Sequence, residues 1–546
     1  MRLNFRKRMK KFFLAVFVVC PMGYSTVGQN LKKEVPKDWF LLDPLQDSVQ
    51  GLSVEKAYNT ILKDQPSKSV LVAVIDSGID IDHEDLKDVI WTNPGEIPGN
   101  GIDDDKNGYI DDVHGWNFIG GKNGNVDADT YELTREYMRL NKKFENTNGK
   151  VSRKQKTEYE QYQKIKDKYT KLKEKNEQQY KLYSSLYGNM RKSVDTLKQV
   201  LKTDTLSIDK IKNFQTSAPS LLFAKGFMLN LYRNAGEDAD VNEYLKDVKE
   251  GVDYFGVIVK FGYNTQFDSR LIVGDNYSNV YEKNYGNNDV KGPESEHGTH
   301  VAGIIGANRK NGIGIKGIAD NVKIMVVRAV PNGDERDKDV ANAIIYAVNN
   351  GAQIINMSFG KKFSPEKEAV DKAVRYAEQK GVLLIHAAGN ESDDTDVEKN
   401  FPTRFYSNGK EAKNWLEIGA TSSGANEEFV ANFSNYGKKS VSVFSPGVDI
   451  YSTTPGNTYK SESGTSMASP ATAGVAALLM SYFPHLSIMD VKNILINSSR
   501  RFDGLKVQRP GKKDMVKFSE LSQSGGLINA FEAVKMAKDF KPNLVK

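Results

Sequence analysis

The sequence predicts an α/β fold in three layers, a mostly parallel central sheet with helices on both faces, plus a mainly α-helical insertion. Three observations predict it. Several short apolar runs, rich in Val, Ile and Leu, show no polar alternation, which marks strands buried on both faces. Segments of helical period separate these runs, so consecutive strands are joined by crossovers and lie parallel. Between about residues 130 and 287 the strand pattern stops, and apolar residues recur at three and four positions among Lys, Glu and Gln. At 546 residues the chain exceeds the usual size of one compact core, so a second domain or a large insertion is expected.

Arg2, Arg6, Lys7, Arg8, Lys10 and Lys11 precede an apolar run from Phe12 to Cys20, followed by small and polar residues. This is the pattern of a secretory signal peptide, with a cleavage site after Thr26-Val27-Gly28. The run is too short for a spanning helix, and no later run is long and uncharged enough for one. The mature chain is therefore expected outside the cytoplasm: periplasmic, on the cell envelope or secreted. Cys20 is the only cysteine, which excludes a disulfide framework. A lipid anchor on Cys20 is weighed and not favoured, because Val19 stands where a small residue is expected. The net charge of +6 comes from the N-terminus and one lysine-rich stretch, not from a folded basic face, so no nucleic-acid partner is expected.

Strands are expected at Val70 to Ile75, Val322 to Val330, Ala352 to Met357 and Val382 to Ile385, with shorter ones at Leu416 to Ile418 and Val441 to Phe444. Helices are expected at Val301 to Ala307, Lys338 to Asn349, Pro365 to Gln379 and Ala471 to Tyr482. The insertion carries Tyr162, Ile165, Tyr169 and Leu172, then Tyr183, Tyr187, Met190, Val194, Leu197 and Leu201 along a narrow seam. Breaks are expected at Asn146 to Lys150 and Ala218 to Ser220. Arg500 to Ser524 reads as a loop, closed by a helix from Leu527 to Lys538, and no appended domain is read there. The expected organisation is a signal peptide at 1–28, a first part of the main domain at 29–129, the insertion at 130–287 and a second part at 288–546.

Parallel sheets place working residues at the carboxyl ends of their strands. Asp76 stands there, in AVIDSGID (73–80). A carboxylate ending a buried strand needs a partner. His297 opens a helix in HGTHVAG (297–303), and an imidazole near its ordinary pKa suits a general base. His300 follows one turn on, but without the spacing of a zinc pair. Ser466 lies in GTSMASP (464–470) at a helix start, where free N–H groups and the helix dipole favour an anion. Pro470 is expected in the first turn, where no N–H is needed. Seen alone, Ser466 reads as a helix cap and Asp76 as a turn cap; together they read as a catalytic set.

AVIDSGID, HGTHVAG and GTSMASP, in that order, resemble the subtilisin family of serine peptidases. The resemblance spans about Pro36 to Asp129 and from Asn288 onward, leaving the helical stretch outside it. It implies a serine endopeptidase acting on a protein or peptide substrate, with Asp76, His297 and Ser466 as triad. It further implies that Asn390, in Ala387-Ala388-Gly389-Asn390, donates to the oxyanion beside the Ser466 amide. Ser358, Phe359 and Gly360 resemble the segment that pairs with an extended substrate. Lys361 and Lys362 follow where relatives often carry small residues, so a positive rim and an acidic or polar preference near the cleavage point are expected. The short stretch between Gly28 and Asp76 leaves little room for the pro-domain common in that family.

Asp103, Asp105 and Asn107 alternate before Gly108 and Tyr109, which resembles the first half of an EF-hand loop. His114 stands where the bidentate glutamate belongs, so Asp111 or Asp112 must complete the shell. So many carboxylates in one loop repel without a cation. Asp85 and Asn311 match positions that ligate a structural calcium in subtilisin relatives. Structural Ca2+ is the expected cofactor. A different class remains open at this stage: a non-catalytic envelope scaffold or binding protein on the same fold.

Overall fold

The computed structural model of the chain describes residues 35–541 except 148, 150 and 237–239. The expected signal peptide, its cleavage site and Cys20 lie outside the described residues. By contacts the chain divides into an α/β unit, Lys33–Glu132 with Asp268–Lys546, and a helical unit that includes Leu133–Phe267. Residues 268–287, expected with the insertion, thus pack in the α/β unit. Arg270 is the physical reason: buried, it pairs with Asp275 and with Asp339 at 2.7 Å.

In the α/β unit the main sheet contains β1 Val70–Asp76, β2 Gly115–Asn117, β3 Val322–Arg328, β4 Ile354–Met357, β5 Leu383–Ala387, β6 Trp415–Thr421, β7 Val443–Pro446, β8 Arg500–Arg501 and β9 Gly526–Leu527. Their order is β8-β9-β7-β6-β5-β4-β1-β3-β2, and every neighbour pair except the antiparallel β8–β9 is parallel. β1 sits between β3 and β4, with Asp76 opposite Arg328 and Ile75 opposite Met357. Alternate residues of the central strands face one core: Ala73, Ile75, Met325, Val327, Ile355, Met357 and Leu384. There they meet helices α2 Asp337–Asn349 and α3 Lys367–Gln379, which precede β4 and β5. α1 Glu296–Gly306 and α4 Thr465–Tyr482 pack on each other, and α4 lies across β4 to β7. The sheet is therefore buried on both faces, as its apolar runs predict.

The end of the chain departs from expectation. Within Arg500 to Ser524 the structure has β8 and a hairpin, Lys506–Gln508 with Met515–Lys517. Val507, Phe518 and Leu521 pack on Phe429 and Phe444 in a second core, and β9 joins the sheet beside β7. The last helix, α5 Ala530–Asp539, starts later than expected because Asn529 caps it, its side chain accepting from Glu532 N.

The helical unit is organised by one 46-residue helix, Lys156–Leu201. Its buried seam is Tyr162, Ile165, Tyr169, Tyr183, Met190, Val194 and Leu197, packed against helices Pro219–Ala235 and Val241–Val257. The Tyr169 hydroxyl donates to the Tyr263 carbonyl at 2.9 Å, so a polar atom in the seam is satisfied. A break after Leu201 is not legible in the sequence: Lys202 takes the left-handed conformation that ends the helix, with no glycine or proline to announce it.

Candidate active site

Asp76 is the last residue of β1, and its side chain is 2% exposed. Its Oδ1 accepts from Ser77 N and lies 2.7 Å from His297 Nδ1; Oδ2 has no hydrogen-bond partner among the described residues. His297 is the second residue of α1, with its side chain 34% exposed. The pair thus has a buried anionic end and an open outer edge on the imidazole. Enclosure by protein lowers the His297 pKa, but the Asp76 charge and hydrogen bond outweigh it, and the pKa lies above its usual 6.5. A glycine next to the histidine permits this approach: a Cβ on Gly298 would lie 2.1 Å from the Gly78 carbonyl oxygen and 3.2 Å from the Asp76 Cβ. His300 is fully buried and bound through Nε2 to the Ile450 and Lys460 carbonyls, so it ties α1 to the Ile450–Glu462 hairpin.

Ser466 is the second residue of α4 and is partly exposed, whereas Thr465 and Met467 beside it are buried. Its hydroxyl donates to the Ser358 carbonyl at 3.1 Å, and the Ser358 hydroxyl donates to the Ser466 carbonyl at 2.9 Å. Among the described residues no hydrogen bond joins the Ser466 hydroxyl to His297. Pro470 stands inside the helix, not in its first turn as the sequence predicts. It lacks the N–H that would reach back four residues to the Ser466 carbonyl, and the Ser358 hydroxyl takes that place. Ser358 is therefore a buried support for Ser466, which the sequence pattern does not reveal.

Asn390 follows β5, and its Oδ1 accepts from Thr465 N at 2.9 Å and Thr465 Oγ1 at 3.0 Å. This leaves Nδ2 as the outward donor. A Cβ placed on Gly464 would lie 3.5 Å from both Asn390 Nδ2 and Ser466 N, so both donors border one small volume. Two N–H donors bordering one volume suit a developing oxyanion. Asn390→Asp keeps the acceptor that holds Thr465 and loses the donor. We expect it to lower kcat roughly a hundred- to a thousandfold with little change in KM, read from hydrolysis of a chromogenic peptide.

Ser358, Phe359 and Gly360 follow β4; Ser358 is buried, Phe359 half-buried and Gly360 exposed. The positive rim is overturned for Lys361. Its side chain is 1% exposed, and its ammonium is bonded to Glu132, to Asp337 and to the Glu335 carbonyl. A buried ammonium needs such partners, and they lie far away in sequence. Lys362 is half-buried and paired with Asp393 at 2.7 Å.

In the acidic loop the structure brings Asp105 and Asp112 together with Glu96, their carboxylate oxygens within 4.8 Å of one another. Burial, with the Asp105 charge adding to it, raises the Asp112 pKa to about 6 against the hydrogen bonds from Tyr346, Asn107 and Asn93. Asp111 is committed elsewhere, accepting from the N–H groups of Gly99, Asn100 and Gly101. Asp103 caps the loop by accepting from Asn107 N and Gly108 N, and the Asn107 amide bridges Asp105 and Asp112. Tyr109 puts its ring in the core against Trp116 and Tyr346. Glu96 is a group the sequence reading missed; its signal is one carboxylate nine residues before Asp105. At the other position, Asp85 is fully buried, and it accepts from the Asn311 amide at 2.7 Å and from Ile315 N at 3.0 Å.

Residues 67–518 match the sequence profile of the Subtilase family. The chain belongs to the subtilase family. It is 40% identical over 236 residues to a thermophilic serine proteinase of Bacillus sp. (strain AK1), which covers 43% of this chain and 51% of that protein. It is 38% identical over 207 residues to subtilisin DY of Bacillus licheniformis, covering 37% of this chain and 70% of that one. The chain thus spans about half the length of the first of these subtilases. Among solved structures, a serine-to-alanine mutant of the protease domain of PatA matches 45% of this chain and 81% of that one at 29% identity, with a TM-score of 0.36.

Proposed function

We propose that this subtilase is a serine endopeptidase cleaving protein or peptide substrates through an acyl-enzyme. What supports the reading is the Asp76–His297 pair, together with a partly exposed Ser466 at the start of α4, a helix that packs on the one carrying His297, and two donors bordering one volume beside Ser466. In the proposed cycle the Ser466 hydroxyl turns from the Ser358 carbonyl and gives its proton to His297 Nε2 as it attacks the substrate carbonyl. Asp76 holds the imidazole by Nδ1 and balances its charge. Asn390 Nδ2 and the Ser466 amide receive the oxyanion. His297 returns the proton to the leaving amine, then activates the water that releases the acyl group. The Ser358–Gly360 segment binds the substrate main chain by strand-like pairing.

His297 must be neutral to act as a base, and its pKa lies above 6.5. The rate is therefore expected to be low at pH 5 and to rise through a pKa above 6.5. Digestion of casein by the purified chain across pH 5 to 9 checks this. A folded chain that leaves casein intact at every pH contradicts the reading.

We propose Ca2+ in the acidic loop, with Glu96, Asp105 and Asp112 contributing charge and Asp103, Asn107 and the Tyr109 carbonyl completing an oxygen shell. The buried carboxylate of Asp85 with Asn311 is the second candidate. The bound ion would supply no chemistry beyond neutralising these oxygens and fixing their loops. EDTA is then expected to lower the melting temperature by several degrees or more, on the order of what 1–3 kcal/mol of binding linkage provides. An unchanged melting curve rules out both sites.

The basic and apolar N-terminal segment supports export, to the periplasm, envelope or medium. Among the described residues no helix is long and apolar enough to cross a membrane. The helical stretch Leu133–Phe267 is proposed as an insertion in the peptidase body.

A further inference from the structure

Arg328 ends β3 directly opposite Asp76 and is 1% exposed. Its guanidinium makes three hydrogen bonds, all to neutral oxygens. Nε donates to the Ser77 carbonyl at 2.7 Å, Nη1 to Asn117 Oδ1 at 3.1 Å and Nη2 to the Val126 carbonyl. Among the described residues it has no carboxylate in salt-bridge range. Burying a cation without an ion pair is costly, and an apolar side chain of similar length would fill the space more cheaply. Burial lowers the Arg328 pKa to about 10, although Asp289, Asp127 and Glu294 oppose the shift.

The place of these bonds points to a task. Ser77 N donates to Asp76 Oδ1, the same oxygen that holds His297. The next peptide carbonyl is the one Arg328 grips, so the guanidinium sets the turn that carries the carboxylate. The same Nε edge lies against the segment leading into α1. A Cβ on Gly292, five residues before His297, would lie 2.2 Å from Arg328 Nε. One side chain thus braces the turn after Asp76 and the approach to His297.

We propose that Arg328 is a positioning residue for the Asp76–His297 pair: its guanidinium fixes the Ser77 carbonyl and packs against Gly292, and so holds the carboxylate in line with the imidazole. This rests on the peptidase reading above. Loss of the brace loosens the hydrogen bond at Nδ1 without touching Ser358–Gly360, so chemistry suffers and substrate binding does not.

The test uses the full chain with calcium, comparing the native protein with Arg328→Met, Arg328→Lys and Gly292→Ala. Each is followed by its second-order rate of labelling with a fluorophosphonate from pH 5 to 9, and by kcat and KM on quenched-fluorescent casein. Arg328→Met is expected to lower the maximal labelling rate and kcat roughly 10- to 100-fold at nearly unchanged KM. The acid limb should move to lower pH, because Asp76 is the main group raising the His297 pKa, with Glu462 also raising it. Arg328→Lys keeps the charge but can satisfy fewer acceptors, so it should fall between Met and native. Gly292→Ala pushes on the guanidinium, at a left-handed position (φ 64°) that itself strains an alanine, and should show the same change in the acid limb. Should Arg328→Met fail to fold, the other two decide by the same readouts. Folded variants with native labelling rates and acid limb overturn the proposal, as does a rise in KM at constant kcat. A native chain that is never labelled overturns both this proposal and the peptidase reading, whereas native labelling unaffected by the variants overturns this proposal alone.

Discussion

Replacing Ser466 with alanine is expected to lower kcat for peptide hydrolysis on the order of a millionfold, with KM almost unchanged. That magnitude is a benchmark from subtilisin, not a value derived from this chain. The reason for so large a loss is local. Ser466 supplies the attacking oxygen, and no neighbouring hydroxyl can replace it: the Ser358 hydroxyl is spent on the Ser466 carbonyl, and the Ser469 hydroxyl on Asn356. The main chain of α4 should be undisturbed, because the Ser466 hydroxyl makes one bond, to the Ser358 carbonyl. The folded variant should therefore melt within a few degrees of the native chain. Progress curves for casein digestion together with a melting curve check both halves of this expectation. An active Ser466→Ala protein would remove the nucleophile from the proposed mechanism.

Asp76→Asn is expected to lower kcat by about four orders of magnitude near neutral pH. An amide in place of the carboxylate can offer its N–H to His297 Nδ1. The ring proton then moves to Nε2, the position that has to accept from Ser466. Removing the anion also withdraws the main influence raising the His297 pKa, so the acid limb of the residual activity should shift to lower pH. Fold stability should fall modestly, because Ser77 N and His297 Nδ1 share Asp76 Oδ1, and an amide turned to donate to the imidazole leaves Ser77 N without that acceptor. Rate measurements between pH 5 and 10 distinguish this from a structural failure, in which activity would be lost without any shift of the limb.

Much of the fold was legible because its signal is local. β1 and β3 are almost wholly buried, so a mainly aliphatic run is all they require, and α2 ends within a residue of its pattern. β8 and β9 have two residues each and exist through pairing with each other and with β7, which no local pattern encodes. The break at Lys202 is another case: a left-handed lysine carries no compositional mark. At the site, Asp76, His297 and Ser466 could be singled out because each stands in a motif at a strand end or helix start. Their supports could not. Lys361 looked like a free rim charge because Glu132, Glu335 and Asp337 lie in other segments. Glu96 reaches Asp105 and Asp112 across a turn, and Arg328 reads as one more strand residue until its three acceptors are seen.

Fluorophosphonate labelling of the purified chain, with calcium present and the modified peptide mapped by mass spectrometry, tests the central claim most directly. Stoichiometric modification at Ser466 that is absent from Ser466→Ala, and that rises with pH through a pKa above 6.5, is the predicted result. A folded native chain that takes up no probe at any pH, or takes it up equally in Ser466→Ala, would contradict an activated nucleophile at this position.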